Sequence, residues 1–255
     1  MKLELTSVPD FPLVVPGDDL AELIMTACSK AEITIQDGDI FVLAQKIVSK
    51  AEGRLVNLKD VSVSEKAKEL AEKTGKDARI VELVLRESRQ VLRYRTNVLI
   101  VEHNLGFVCA NAGIDHSNVH GEDGNPEDWM LLLPEDPDGS ANKIREKIEK
   151  KLGMRIGIIV IDSHGRAWRN GTLGTAIGLS GVPGIVDLRG QPDLFGFKLK
   201  ITQVAAGDEL AAGASLVMGQ AAEGTPVVHV RGFPYALRES RLQELIRPEQ
   251  EDMFR

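Results

Sequence analysis

Asp162 and Asp115 each stand where a strand signal runs out. Residues Ile156, Gly157, Ile158, Ile159, Val160 and Ile161 form an unbroken, largely β-branched run, the pattern of a strand buried on both faces. The run delivers Asp162, Ser163 and His164, then Gly165 and Arg166. A carboxylate and a hydroxyl at the carboxyl end of a buried strand can hold a hard cation and, with it, a polyphosphate. The arrangement recurs where a predicted strand at 106–110 runs into Asn111-Ala112-Gly113-Ile114-Asp115-His116-Ser117-Asn118. Asp115 reads either as a second oxygen ligand or as a turn cap. Asn118 reads either as a partner for a base, ribose or phosphate or as a turn residue.

Cations and further oxygen donors follow other elements. Gln45-Lys46-Ile47-Val48-Ser49-Lys50-Ala51-Glu52-Gly53-Arg54 comes directly after a predicted strand at 39–44. Its lysines suit phosphate as point charges, and the same run suits an exposed charged loop. Gly219, Gln220 and Glu223 follow an Ala-rich predicted helix at 208–218. Gln220 and Glu223 either close a metal or phosphate site or make a plain helix-to-strand loop. Arg166 and Arg169 clamp a carboxylate or phosphate or serve solubility, with Trp168 between them read as packing. His164 is the candidate general base. Glycines at 171, 174, 178 and 181 allow close approach of backbone to a ligand or to another chain. No GxGxxG, Walker A, HExxH or Cys/His zinc pattern occurs.

The elements that must position these residues read as follows. A strand at 2–7 leads into a segment with Pro9, Pro12 and Pro16, extended because proline excludes helix. This segment is either a sheet-edge tail or, through Phe11, Pro12, Leu13 and Val14, a wall for a flat ligand. Helices are predicted at 20–29, with Asp19 and Glu22 as a capping box, at 62–75, after Asp77, and at 141–152 behind a turn at 134–140. Further strands are predicted at 90–95, 97–103, 129–133, 185–188, 197–204 and 227–230, with a polar loop at 116–126. A charged helix is expected within 234–255. Strands outnumber helices and do not alternate with them, which argues against a Rossmann array. The expectation is an α+β fold, with mixed or antiparallel sheets, flanking helices and two intimate lobes sharing one site.

Composition narrows the class. The 255 residues are 43% hydrophobic and 27% charged, with a net charge of −7, which argues against a nucleic-acid coat but leaves room for a local basic pocket for a phosphate-rich ligand. No apolar run approaches a membrane span, and no secretory signal opens the chain. Cys28 and Cys109 form no motif. The cytoplasm is the expected compartment.

Taken jointly, the polar segments resemble the coenzyme F420-0:L-glutamate ligases. The matching motifs are Gly17-Asp18-Asp19-Leu20, the 47–54 run, the 111–118 run, Leu132-Leu133-Pro134 with Asp136-Pro137-Asp138-Gly139-Ser140, Asp162 to Arg166, and Asp208-Glu209 through Met218-Gly219. They span about 8–233 in the family's order, within a single domain at 1–255 that ends in the tail at 234–255.

The resemblance implies an unusual α+β ligase fold and a homodimer with the site near the subunit interface. It implies GTP-dependent addition of L-glutamate to the lactyl carboxylate of the coenzyme precursor, then γ-linked glutamates, with release of GDP and phosphate. Magnesium or manganese, as two ions, is required, and potassium helps. Some members are fused to a nitroreductase-like flavin domain. Carried over by motif, Asp115, Asp162 and Ser163 look like metal ligands, completed by Gln220 or Glu223. Phe11, Pro12, Leu13, Val14, Gln45, Lys46, Lys50, Asn118, Gly219 and Gln220 look like nucleotide contacts. Gln45 and Lys46 stand where others have small hydroxyl residues. Asp115, Asp162 and Lys50 are the expected catalytic set.

Overall fold

The computed structural model describes residues 2–121 and 125–253. Glu122, Asp123 and Gly124 of the expected polar loop, and Phe254 and Arg255 of the expected tail helix, lie outside the described residues. In chain order the elements are β1 (Glu4–Ser7), α1 (Leu20–Lys30), β2 (Ile40–Ala44), α2 (Gln45–Ala51), β3 (Leu55–Asn57), α3 (Glu65–Thr74), α4 (Ala78–Arg86), β4 (Ser88–Arg95) and β5 (Val98–His103). There follow β6 (Val108–Ala110), β7 (Trp129–Leu131), α5 (Pro137–Leu152), β8 (Gly157–Arg166), β9 (Arg169–Ser180), β10 (Val186–Asp187), β11 (Gln203–Val204), α6 (Ala206–Met218) and β12 (Val227–Arg231).

The main sheet has the order β1-β12-β2-β8-β9. Strands β2 and β8 run parallel, and the other neighbours are antiparallel. Alternation along the strands splits the core in two. Phe41, Leu43, Ile158 and Val160 face Ile24 of α1 and Ile144 and Ile148 of α5. Ile40, Val42, Ile159 and Ile161 face Leu210, Ala211 and Ala214 of α6. Helices therefore cover both faces, which is why β2 and the start of β8 are apolar without interruption. A second, smaller lobe packs α3 and α4 on the antiparallel sheet β4-β5-β6 around Leu70, Val81, Val84, Leu99 and Val101. Phe107 packs against both this core and that of the α1/α5 face, joining the lobes. The architecture is α+β, as expected. Among the described residues no helix is long and apolar enough to cross a membrane.

Several local expectations are corrected. The run at 45–51 is helix α2, not a loop, because Ile47, Val48 and Ala51 recur on one side and pack into the α1/α5 core. Helix α5 begins four residues early, at Pro137, because proline is suited to a first turn and Asp136 accepts the Gly139 N–H at 3.0 Å. The glycines at 174 and 178 lie in strand β9. A Cβ would come within 2.5 Å of the Ala211 carbonyl oxygen at Gly174 and 2.6 Å of that of Pro137 at Gly178, so their close approach is to α6 and α5 of the same chain. The strands expected at 185–188 and 197–204 shrink to β10 and β11; beyond them the two halves of the arm meet only through irregular backbone hydrogen bonds, such as Leu188 N–H to the Thr202 carbonyl, and a bridge of Pro192 to Lys198. Among its described residues the tail forms no α-helix. It forms short 3₁₀ turns at Leu242–Glu244 and Glu249–Glu251, with Pro248 interrupting the ladder. Trp168 does not pack; it stands at the β8–β9 turn, 90% exposed.

Candidate active site

Topology gathers the expected residues at one sheet edge. Ala44, the last residue of β2, lies beside Ile161, so α2 begins where β8 delivers Asp162. Strand β12 runs antiparallel to β2, and the Ala44 N–H donates to the Pro226 carbonyl at 2.9 Å, so the loop at 219–226 opens on the same edge. The Val8 N–H donates to the Val227 carbonyl at 2.9 Å, which brings the Pro-rich segment there too. The carboxyl ends of parallel strands are where such sheets bind ligands.

The smaller lobe supplies Asp115. After β6 the chain takes three consecutive residues with positive φ: Asn111 at 51°, Ala112 at 54° and Gly113 at 63°. L-residues resist this region, so the turn needs support. Asn111 Oδ1 accepts the Leu99 N–H at 3.0 Å, and a Cβ on Gly113 would lie 2.7 Å from Leu133 Cδ1. The next residues are extended, with Asp115 and Leu131 exchanging backbone hydrogen bonds of 2.9 and 2.8 Å. Asp115 thereby reaches α2. Gln45 Nε2 donates to its Oδ2 at 2.7 Å, and Lys46 Nζ lies 3.3 Å from the same oxygen. Burial pushes the Asp115 carboxyl above its ordinary range; Lys46 opposes this, and repulsion from Asp162 adds to it.

The Gln45 side chain is turned inward. It is 1% exposed, and its carbonyl accepts from Ser49 Oγ at 2.8 Å, so both ends of the amide are committed to holding Asp115. Sequence reasoning missed Ser49, whose i+4 spacing from Gln45 is the available signal. Lys46 also donates to Ser117, and Lys50 Nζ donates to the Asn118 carbonyl at 2.7 Å. Burial, then the neighbouring Lys46, lowers the Lys50 ammonium from its ordinary value. Asn118 Nδ2 donates to the Ala221 carbonyl at 2.9 Å, linking the two loops.

Asp162 and Ser163 face opposite sides of β8. Asp162 shares the side of Val160, toward Phe107 and Asp115, while Ser163 shares that of Ile161 and donates to Gln220 Oε1 at 2.7 Å. Glu223 instead folds under its own loop and accepts the Ala221 N–H at 2.8 Å. Gly219 makes this possible, because a Cβ there would lie 2.2 Å from the Glu223 carboxyl carbon. Thus Gln220, not Glu223, meets Ser163. Of the N-terminal residues, Phe11 and Val14 turn into the core, leaving the side chains of Pro12 and Leu13 exposed at the edge. Arg166 and Arg169 are exposed at the base of the β8–β9 turn.

His164 is buried beneath the site, its Nε2 3.0 Å from Asp162 Oδ2 but not aligned for a hydrogen bond. Its ring lies 5.0 Å from that of Phe107, which stacks on His103 at 5.1 Å. This placement suits support of Asp162 rather than contact with an amine. Burial, with the nearby His164, lowers His103 to about 4. The folded protein therefore binds fewer protons than the unfolded chain between about pH 6.5 and pH 4, and stability falls as pH drops through that window. His103→Phe keeps an aromatic ring against Phe107 and removes the titrating group. Urea unfolding of this variant should show a shallower loss between pH 6.5 and pH 4, by on the order of 3 kcal/mol; an unchanged slope would refute the burial argument. Both thiols are buried, Cys28 pushed up to about 11 and Cys109 to about 12, so neither is a thiolate nucleophile at neutral pH.

The donors at this edge are all oxygens: two carboxylates, a hydroxyl and an amide carbonyl. Among the described residues no group of three or more His, Cys, Asp or Glu side chains is placed to hold a metal. The set fits magnesium or manganese, which accept few protein oxygens and take the remainder from water and phosphate.

Residues 10–232 match the F420-0:Gamma-glutamyl ligase family. The chain is 45% identical to the Coenzyme F420:L-glutamate ligase of Methanothermobacter thermautotrophicus, over 100% of both chains. It is 45% identical to that of Methanopyrus kandleri, over 99% of this chain and 98% of the relative, and 44% identical to that of Archaeoglobus fulgidus, over 100% and 97%. With the match spanning both lobes and the whole sheet edge, the chain belongs to the F420-0:gamma-glutamyl ligase family.

Proposed function

We propose that this chain is a GTP-dependent amide ligase of the cytoplasm that joins L-glutamate to coenzyme F420-0 and then adds γ-linked glutamates. The observation that carries the reading is the convergence of Asp115, Asp162, Ser163, Gln220 and Lys50 at one sheet edge, in a chain similar end to end to proteins of that name.

The chemistry asks for a phosphoryl transfer followed by an acyl transfer. A carboxylate oxygen of the precursor attacks the γ-phosphorus, the bond to the β-phosphate oxygen breaks, and GDP leaves. The glutamate amine then adds to the acyl phosphate carbon, the carbon–oxygen bond to phosphate breaks, and the amine loses a proton to give the amide. Both steps depend on positioning and charge neutralisation. Asp115 with Asp162, on one face of β8, and Ser163 with Gln220, on the other, would hold two divalent ions. Such ions, when bound, neutralise phosphate charge. Lys50 supplies a fixed positive charge, and Pro12 and Leu13 with their main chain flank the nucleotide. Gln45 and Ser49 hold Asp115, and Arg166 or Arg169 receives the incoming carboxylate. Potassium as an activator and a homodimer belong to the same reading. Leu194 and Phe195, 98% and 95% exposed on the arm between β10 and β11, are apolar surface that a second copy would cover.

The direct test is mass spectrometry of a reaction containing the deazaflavin precursor, GTP, manganese and L-glutamate. The expected product carries one or more added glutamyl groups, with one GDP per amide and none when metal or glutamate is omitted. GDP release without amide would refute the ligase reading; equal rates with ATP would refute the choice of GTP. Lys50→Met should raise KM for GTP by about 10- to 100-fold, the loss of a charge-assisted contact, with little change in Tm. An unchanged KM would remove Lys50 from the nucleotide site.

A further inference from the structure

The ammonium of Lys46 already sits among oxygens of the kind a metal ion takes. Its Nζ lies 3.3 Å from Asp115 Oδ2, 2.9 Å from the Ser117 carbonyl oxygen and 3.0 Å from Ser117 Oγ. A carboxylate, a carbonyl and a hydroxyl from one short loop are donors for a hard cation. The Lys46 and Asp115 side chains are only 26% and 27% exposed, so water screens the contact incompletely. The ammonium also offsets the repulsion that Asp115 feels from Asp162.

We propose that Lys46 is a resident counter-ion that competes with the divalent ion for Asp115, so that metal entry has to displace its ammonium from the Asp115–Ser117 loop. The inference rests on the reading of Asp115 as a metal ligand. Displacement reaches further than one carboxylate. Lys46 and Lys50, one turn apart on α2, fasten Ser117 and Asn118, and Asn118 holds Ala221 beside Gln220. Releasing Lys46 removes one of these two fastenings just as the ion arrives, and the freed ammonium remains at the same edge as the phosphates. Lys50 differs in the respect that matters: its acceptor is a neutral carbonyl, so it occupies no carboxylate.

The test is manganese binding, without nucleotide, by the full chain and its variants, followed by electron paramagnetic resonance of free Mn²⁺. Lys46→Met should tighten binding about tenfold, as loss of a competing ion pair predicts, and Lys50→Met should change it by less than about threefold. Lys46→Gln, which retains a donor for Ser117, should tighten binding as Lys46→Met does. It also provides the reading if the methionine variant fails to fold. Lys46→Arg, which keeps the charge, should bind as weakly as the parent protein. Equal tightening in the Lys46 and Lys50 variants would mean net charge alone acts and would overturn the proposal, as would unchanged or weaker binding in both Lys46→Met and Lys46→Gln. Manganese bound by the parent but no more tightly by these variants refutes only the role of Lys46. Manganese bound by none of the proteins refutes the metal assignment as well.

Discussion

Asp162→Asn is expected to lower kcat for amide formation by about a thousandfold or more, while Tm moves by no more than about 5 °C. The substitution keeps shape and removes only charge. His164 Nε2, 3.0 Å from Asp162 Oδ2, is not aligned to donate to it, so among the described residues this contact ties little of the fold to the Asp162 carboxylate. The charge nonetheless sits close enough to Asp115 to raise that residue's proton affinity, a cost with no structural return. Paired like charges of this kind gather at functional sites. Asp115→Asn is a less clean experiment, because Gln45 and Lys46 both converge on that side chain. GDP and amide assayed at saturating GTP and manganese, beside a thermal melt, decide the matter. Full turnover in Asp162→Asn would end its assignment as a ligand, and a collapsed melt would make it a structural residue.

The site residues that were legible in the sequence share one property: each lies next to a strand signal. Asp162 closes an apolar run, Lys46 and Lys50 follow β2, and the 219–224 loop precedes β12. Their meeting was expected from the family resemblance alone and not from the local pattern, because it depends on β12 inserting between β1 and β2, a pairing of residues nearly two hundred apart in the chain. The same non-local packing hid the burial of Gln45. A polar residue after a strand reads as ligand-facing, and only the fold shows Ser49 and Asp115 taking both ends of its amide. The glycines of β9 misled for a related reason: small residues report that something approaches closely, and only the fold shows that it is α5 and α6. At the tail, charge pattern suggested a helix, but Pro248 and the contact of Asp138 with the Leu242 N–H favour short turns laid against the fold.

The complementary expectation concerns Asp39, at the other end of the same strands. It is 1% exposed, and its carboxylate accepts from His229 Nε2 at 2.8 Å, Arg231 Nε at 2.9 Å and Nη2 at 2.7 Å, and the Gln36 N–H at 2.7 Å. Burial alone would raise this carboxyl, but the hydrogen bonds from His229 and Arg231 outweigh it and hold the group at about 2. Asp39→Ala leaves the buried His229 Nε2 without its acceptor and Arg231 without its counter-charge. The loss should be about 3–5 kcal/mol in urea unfolding at pH 7. The sign with pH follows from the depressed value. The carboxylate's contribution is fully present above its ordinary value of 3.8 and is lost as pH falls through about 2, so the gap between parent and variant should narrow over that interval. A gap that stays constant down to pH 2 would mean that Asp39 acts through packing rather than charge. Because Asp39 immediately precedes β2 and the site lies beyond that strand's other end, Asp39→Ala measured at a temperature where it remains folded should keep kcat within about threefold of the parent. One end of β2 then carries stability without catalysis, and the other end, beside Asp162, carries catalysis at little cost to stability.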